Sequence, residues 1–278
     1  MEINRKCWNP LGELSIILNQ EDKVFLRRCC YLEPFSILSI EDFLKINNII
    51  EYAYQHCNVP PVFNDEHKDS CLVCHFPKKI EKVTVGLSKA CNLRCYHCFW
   101  DGMHKDSPET KQLYFKTLEN IKGNCLTEIR LNDRGEPFFY YNQTLNYLKS
   151  LDPCKDTKQV SFVSSLSTLN ETRIKELKQV SDNTGIPYKN ITVSIDGITK
   201  ETFEATRIGA NFEKVMNNLE LMVKEFGSEN ICINYVIKKP NFKDKNVKEF
   251  FSRNFNIGYT FVTYDCFDEE AKKVFEEM

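Results

Sequence analysis

The chain lacks any apolar run approaching the length a membrane crossing needs, and its charged, cysteine-containing N-terminus has no signal-peptide pattern. The expectation is a cytoplasmic protein. Excess charge of one sign is missing too. A net charge of -2 and mixed-sign stretches such as residues 65–69 leave no dominant footprint for nucleic acid. Lys243, Lys245 and Lys248 make a local basic patch that reads as the solvated edge of a helix. What the chain has in abundance is cysteine, thirteen in 278 residues. A disulfide scaffold does not suit so long a chain without a secretion signal, so metal is the better account. At 42% hydrophobic content there is material for one large domain, or a medium one plus a small one.

The most informative cysteines are Cys91, Cys95 and Cys98, spaced C-x3-C-x2-C on one tight loop after the apolar run Val83 to Leu87. Iron-sulfur cubes are usually held by four thiolates, so three close-set ligands leave one iron open to a small molecule. The bland alternative is zinc, which wants four ligands in a closed tetrahedron and would need His97 or His104 to complete the set.

From about residue 82 onward, strand-like runs alternate with helix-like ones. The strands are expected at 83–87, 128–131, 160–164, 191–195, 231–237 and 259–264, each short and rich in branched or aromatic residues. Ser107, Pro108 and Glu109 open one helix with a cap, a first-turn proline and a carboxylate at the positive dipole end. Thr168 to Glu171 reads as a capping box before Ile174, Leu177 and Val180. Phe212, Val215, Met216, Leu219 and Met222 mark a third amphipathic helix, and Asn246 to Glu249 resembles another cap. The alternation implies parallel strands with crossover helices.

The C-x3-C-x2-C spacing, the Cys91-Asn92-Leu93-Arg94-Cys95 opening and His97 before the last cysteine resemble the signature loop of the radical S-adenosylmethionine (SAM) superfamily. The resemblance implies an α/β fold, a partial (β/α)6 TIM-like barrel, with its chemistry on loops at the C-terminal ends of the strands. It further implies a catalytic 4Fe-4S cluster on Cys91, Cys95 and Cys98, whose open iron chelates the amino and carboxylate groups of SAM. One electron then breaks the C5'–S bond, and the 5'-deoxyadenosyl radical takes a hydrogen atom from an unactivated C–H bond. His97 would flank the adenine.

Residues 132–137 are similar to the family's glycine-glycine-glutamate-proline turn, with Arg134 in place of the first glycine; Gly135 and Glu136 would meet the amino group of SAM. Ser164 ends the third strand where many relatives have a threonine-asparagine-glycine turn. Val193 to Gly197 resembles the serine-x-aspartate-glycine strand end, whose Ser194 and Asp196 reach toward SAM or substrate. Arg207 matches an arginine that meets the SAM carboxylate, for which a planar guanidinium is suited.

Residues 1–80 are expected to form a small N-terminal cysteine-rich α+β module, and residues 81–278 the radical SAM core. Cys7, the pair Cys29 and Cys30, and the Cys71-x-x-Cys74 knuckle resemble the auxiliary-cluster modules called SPASM and Twitch, which in most relatives follow the barrel. The implied ligands of a second, auxiliary 4Fe-4S cluster are Cys7, Cys29, Cys71 and Cys74, with Cys30 or Cys57 as alternatives to Cys29. Cys125, Cys154 and Cys232 read as buried structural thiols. Cys266, after the sixth strand, is a candidate hydrogen-atom donor, which would make the reaction an epimerisation. The leading expectation is oxidation or crosslinking of a peptide, or dehydrogenation of a sugar or alcohol. Its partners would be a small-molecule or peptide substrate and reduced flavodoxin or ferredoxin as electron donor. The competing class is a non-catalytic zinc protein with a partner-binding surface.

Overall fold

The computed structural model describes residues 12–19, 21–28, 34, 36–56, 80–98, 105–131, 134–264 and 269–276. Cys7, Cys29, Cys30, Cys57, Cys71, Cys74, His104 and Cys266 lie outside the described residues. Among the described residues no helix is long and apolar enough to cross a membrane.

Six parallel strands form the body of the sheet, in chain order: β4 (Ile80–Gly86), β6 (Glu128–Leu131), β7 (Val160–Ser164), β8 (Ile191–Ser194), β10 (Ile231–Ile237) and β11 (Thr260–Tyr264). These are the six expected strands, displaced by at most three residues at a start. Each step from one to the next passes through at least one helix: α3 (Pro108–Asn120), α4 (Tyr141–Lys149), α5 (Glu171–Thr184), α6 (Lys200–Thr206), α7 (Phe212–Phe226) and α8 (Val247–Phe255). Among the described residues the sheet does not close into a barrel.

On the other side of β4, three more strands extend the same sheet: β1 (Gly12–Leu18), β2 (Lys23–Arg28) and β3 (Ser36–Ser39). β1 runs parallel to β4, with Leu14 opposite Val83 and Ile16 opposite Val85, while β2 and β3 return antiparallel. Two helices follow, α1 (Ile40–Leu44) and α2 (Ile49–His56), and α9 (Glu269–Glu276) packs by β11. The expected division between residues 80 and 81 therefore falls at the first residues of β4, and backbone pairing crosses it.

Alternation along the strands sorts the two faces of the sheet. Ile129 and Leu131, Val160 and Phe162, Ile191 and Val193, and Ile231, Ile233 and Tyr235 are buried in one core with Leu113, Leu148, Ile174, Leu177, Leu219, Met222 and Phe251 from the helices. The intervening residues carry polar groups: Lys82 lies between Glu13 (3.8 Å) and Glu128 (3.4 Å), Thr84 donates to Glu13 (2.6 Å), Ser161 donates to Glu128 (2.5 Å), and Arg130 donates to Thr192 (3.2 Å).

The helix starts differ from their sequence signals in two places. Ser107 caps α3 as expected, accepting from Thr110 N–H at 3.1 Å. The cap of α5 is Asn170 rather than Thr168, because Leu166 to Leu169 closes a turn of its own and leaves Asn170 facing the N–H of Arg173. Asn246 precedes α8 with a left-handed backbone (φ 56°) and no side-chain cap, its Asn identity suiting the conformation rather than the hydrogen bond. A capping box does occur where none was foreseen, between Thr199 and Thr202 at the start of α6.

Asp244, in the loop between β10 and α8, ties α6 to the sheet. Its buried carboxylate accepts from Ile198 N–H (2.9 Å), Thr202 Oγ1 (3.0 Å) and Tyr235 OH (2.7 Å). Burial, followed by this carboxylate, pushes the Tyr235 phenol up. Asp244→Ala strands three donors and is expected to cost about 3 kcal/mol in a urea unfolding titration, against nearly nothing for the exposed Asp182→Ala.

Candidate active site

At the C-terminal ends of the parallel strands a cavity of ≈ 560 Å³ opens. The loop from Leu87 to Cys98 leaves β4 and presents Cys91, Cys95 and Cys98 to it as free, partly buried thiols. His97, Gly135, Glu136, Ser164, Ser194 and Arg207 line the same cavity, so most of the expected site residues from the described part of the chain are brought together. Asp196 is wholly buried beside it, paired with Arg207.

The cysteine loop is held from below. Gly135 sits against it so closely that a Cβ there would lie 2.7 Å from the carbonyl oxygen of Ala90 and 2.8 Å from that of Ser88. The next residue, Glu136, donates its N–H to Ala90 O at 2.8 Å. This is why glycine stands in the turn: backbone must approach backbone. On the other flank, Ser88 Oγ and Lys89 N–H both donate to Asp106, at 2.6 and 2.8 Å, and Asn92 accepts from Ser167 Oγ at 3.0 Å.

Glu136 is buried and accepts from Ser164 Oγ (2.8 Å), Ser165 N–H (2.9 Å) and Ser165 Oγ (2.8 Å). The Phe138 N–H also acts on this carboxylate, so about four donors meet its roughly four acceptor sites. Burial pushes its pKa up, and the serine donors oppose that. Burial likewise pushes the Cys91 thiol up to about 12, against the Leu93 N–H that donates to its sulfur at 3.4 Å. Cys95 is raised by burial too, with the Arg207 guanidinium pulling the other way. Such thiols ionise readily when a metal supplies the compensating charge.

Arg207 connects the wall to the cysteine loop. Its Nη2 meets Asp196 at 2.7 Å and its Nη1 donates to Cys95 Sγ at 3.7 Å, while its buried Nε has no hydrogen-bond partner among the described residues. His97 Nε2 lies 3.5 Å from Asp196 Oδ2.

The donor set suits an iron-sulfur cube: three soft thiolates on one loop, at the mouth of a cavity, beside an unsatisfied buried donor. Among the described residues no three His, Cys, Asp or Glu side chains gather closely enough to share a single metal ion. A cube asks for something else, since each thiolate binds a separate iron.

Several cavity residues were missed from sequence. Arg130, Thr192, Cys232 and Asn234 come from inward positions of β6, β8 and β10, Phe261 from the edge strand β11, and Tyr259 from just before it. Period-two alternation pointed to these positions, but reading each strand as an apolar run hid them. The expectation that Cys125, Cys154 and Cys232 are buried fails. Cys125 and Cys154 are exposed in turns flanking their strands, and Cys232 is half-buried against Thr192 Oγ1 at 3.4 Å.

No family model matches the chain. GTP 3',8-cyclase 2 of Pseudomonas aeruginosa is 24% identical over 180 residues, 64% of this chain and 51% of that protein. The GTP 3',8-cyclase of Clostridium perfringens is 23% identical over 175 residues, 61% of this chain and 50% of that one. The chain thus spans about half the length of the curated relatives it matches. Among solved structures, Streptococcus suis SuiB bound to S-adenosylmethionine is similar with a TM-score of 0.51 at 14% identity, over 98% of this chain and 69% of that one, a likeness of fold.

Gly135→Ala is expected to lose about 1–3 kcal/mol of stability in urea, because neither carbonyl it would strike is free to move. Glu136 adds a pH dependence. With its native pKa raised, the folded chain holds this proton more tightly than the unfolded one. Stability from this group is therefore full below the ordinary carboxylate range and lost as pH rises toward the raised value. Glu136→Gln should flatten that decline when urea midpoints are compared from about pH 4 to about pH 7.

Proposed function

We propose, from the premise that this chain belongs to the radical S-adenosylmethionine superfamily, that it is an enzyme that reductively cleaves SAM and abstracts a hydrogen atom from a substrate held in the strand-end cavity. The observation that carries this is the convergence of the three-cysteine loop, the Gly135-Glu136 turn and Arg207 on one cavity.

Cys91, Cys95 and Cys98 would hold a 4Fe-4S cluster, which when bound supplies the single electron for SAM cleavage. The protein's own part is placement. The negative charge of Glu136 at the cavity wall suits the SAM ammonium, an ion that would also offset the cost of burying this carboxylate. The unsatisfied Nε of Arg207 suits the carboxylate. His97 would flank the adenine, and Ser194 offers a hydroxyl from the end of β8, while the Ser164 hydroxyl serves by holding Glu136. The wall around the remaining space is rich in cations. Lys89, Arg130, Arg134 and Arg207 line it against the carboxylate of Glu136. Lys89 pairs with Asp22, Arg207 with Asp196.

This wall favours a polar substrate with oxyanion groups, at which the leading reaction is oxidation or crosslinking of a peptide, or dehydrogenation of a sugar or alcohol. A second reading, cyclisation of a nucleotide, is favoured by the same cations and by the GTP 3',8-cyclases among the relatives. Epimerisation with Cys266 as hydrogen donor requires that residue, which lies outside the described part of the chain, as do Cys7, Cys29, Cys71 and Cys74 for an auxiliary cluster. Reduced flavodoxin or ferredoxin is the proposed electron source.

The test is anaerobic reconstitution with iron and sulfide, followed by reduction, addition of SAM and measurement of 5'-deoxyadenosine. Wild type is expected to form the nucleoside and Cys95→Ala to form none. Iron near four atoms per chain, as expected for one cube, would support the catalytic cluster alone, and iron near eight the auxiliary cube as well. Bound zinc with no cleavage would leave a metal-stabilised binding protein instead.

A further inference from the structure

Arg207 and Cys95 stand 112 residues apart in the chain, yet they are register partners in a two-stranded antiparallel ribbon, β5 (Arg94–Cys95) with β9 (Arg207–Ile208). Beside that pair, Tyr96 N–H donates to Thr206 O at 2.8 Å. Backbone pairing thus sets the thiol and the guanidinium side by side, and the Nη1 to Sγ contact of 3.7 Å follows from it.

The guanidinium is held from behind as well. Asp196 takes Nη2 at 2.7 Å and is itself fixed by Val236 N–H, which donates to Oδ1 at 2.7 Å. The two side chains are 7% and 0% exposed, so salt screens them little. An arginine cannot discharge under these conditions, and its positive charge beside Cys95 is permanent.

We propose that Arg207, braced by Asp196, is a positioning residue for Cys95 that sets the reduction potential of the cluster bound at Cys91, Cys95 and Cys98, separately from any contact it makes with SAM. The inference rests on the radical SAM reading. A reduced cluster carries one more negative charge than the oxidised one, so a fixed cation and a hydrogen bond at a ligand sulfur favour reduction and raise the potential. Asp196, by the same argument, holds part of that increase back. Removing either partner therefore shifts the potential in opposite directions. A role confined to the SAM carboxylate would change SAM affinity and leave the SAM-free potential where it was.

The experiment is a redox titration of the reconstituted full chain without SAM, followed by electron paramagnetic resonance, with the signal lost in Cys95→Ala identifying the cube concerned. At the wild-type midpoint, the reduced-to-oxidised ratio is expected to fall at least about threefold in Arg207→Gln and to rise by a similar factor in Asp196→Asn. Arg207→Lys, which keeps the charge and loses the fork, should fall between wild type and Arg207→Gln. Should Arg207→Gln fail to fold, the Lys and Asn variants carry the test. Midpoints coinciding with wild type in the variants that retain the cube would overturn the inference alone. A wild-type chain that forms no reducible cube at these cysteines would overturn the radical SAM reading and this inference together.

Discussion

The mouth of the cavity depends on one buried ion pair, Arg207 with Asp196. Taking both charges out of water is costly, and such a pair is tolerated when its geometry is good and its remaining polar atoms are bonded. Here Asp196 Oδ1 has the Val236 N–H and its main-chain oxygen has Asn241 Nδ2 at 3.0 Å, whereas Arg207 Nε is left without a partner among the described residues. The adjoining Gly197 lets α6 come down on the strand end: a Cβ there would stand 2.2 Å from the backbone nitrogen of Phe203. That close approach sets where α6 ends, and therefore where Arg207 emerges to meet the cysteine loop. Strand end, helix and ribbon form one mechanical unit whose far end is Cys95.

The second constraint is the division of the sheet into an apolar face and a polar one. Helices cover the first and supply the core. The second carries the row Glu13, Lys82, Glu128 and Ser161, whose charges are paired and hydrogen-bonded across four strands, and above it the cavity wall with Arg130 and Thr192. β1 belongs to this arrangement, since Glu13 completes the row from the far side of β4. The N-terminal strands therefore contribute to the interior of the sheet that carries the site, in addition to extending it.

How much of this was legible depended on how local the information is. The six parallel strands follow from short branched-residue runs with helical signals between them, and the cap at Ser107 from a single tripeptide. The exchange of Thr168 for Asn170 at the start of α5 was not legible, because both residues are competent caps and the choice is made by a turn closing at Leu166 to Leu169. The exposed positions of Cys125 and Cys154 were hidden for a similar reason: apolar neighbours suggest burial, while the turn that carries the residue decides it.

By itself the sequence determined the cysteine triad, since C-x3-C-x2-C is a property of consecutive residues, and the strand-helix alternation that places the triad at a strand's C-terminal end. Tertiary structure alone decided what surrounds those thiols. Arg207 against Cys95, Ser164 and Ser165 on Glu136, and Asn92 on Ser167 join residues from different strand ends. Spacing along a chain cannot specify such neighbours. Parallel pairing and crossover packing choose which loops meet, and only then do charge and hydrogen bonding act between them.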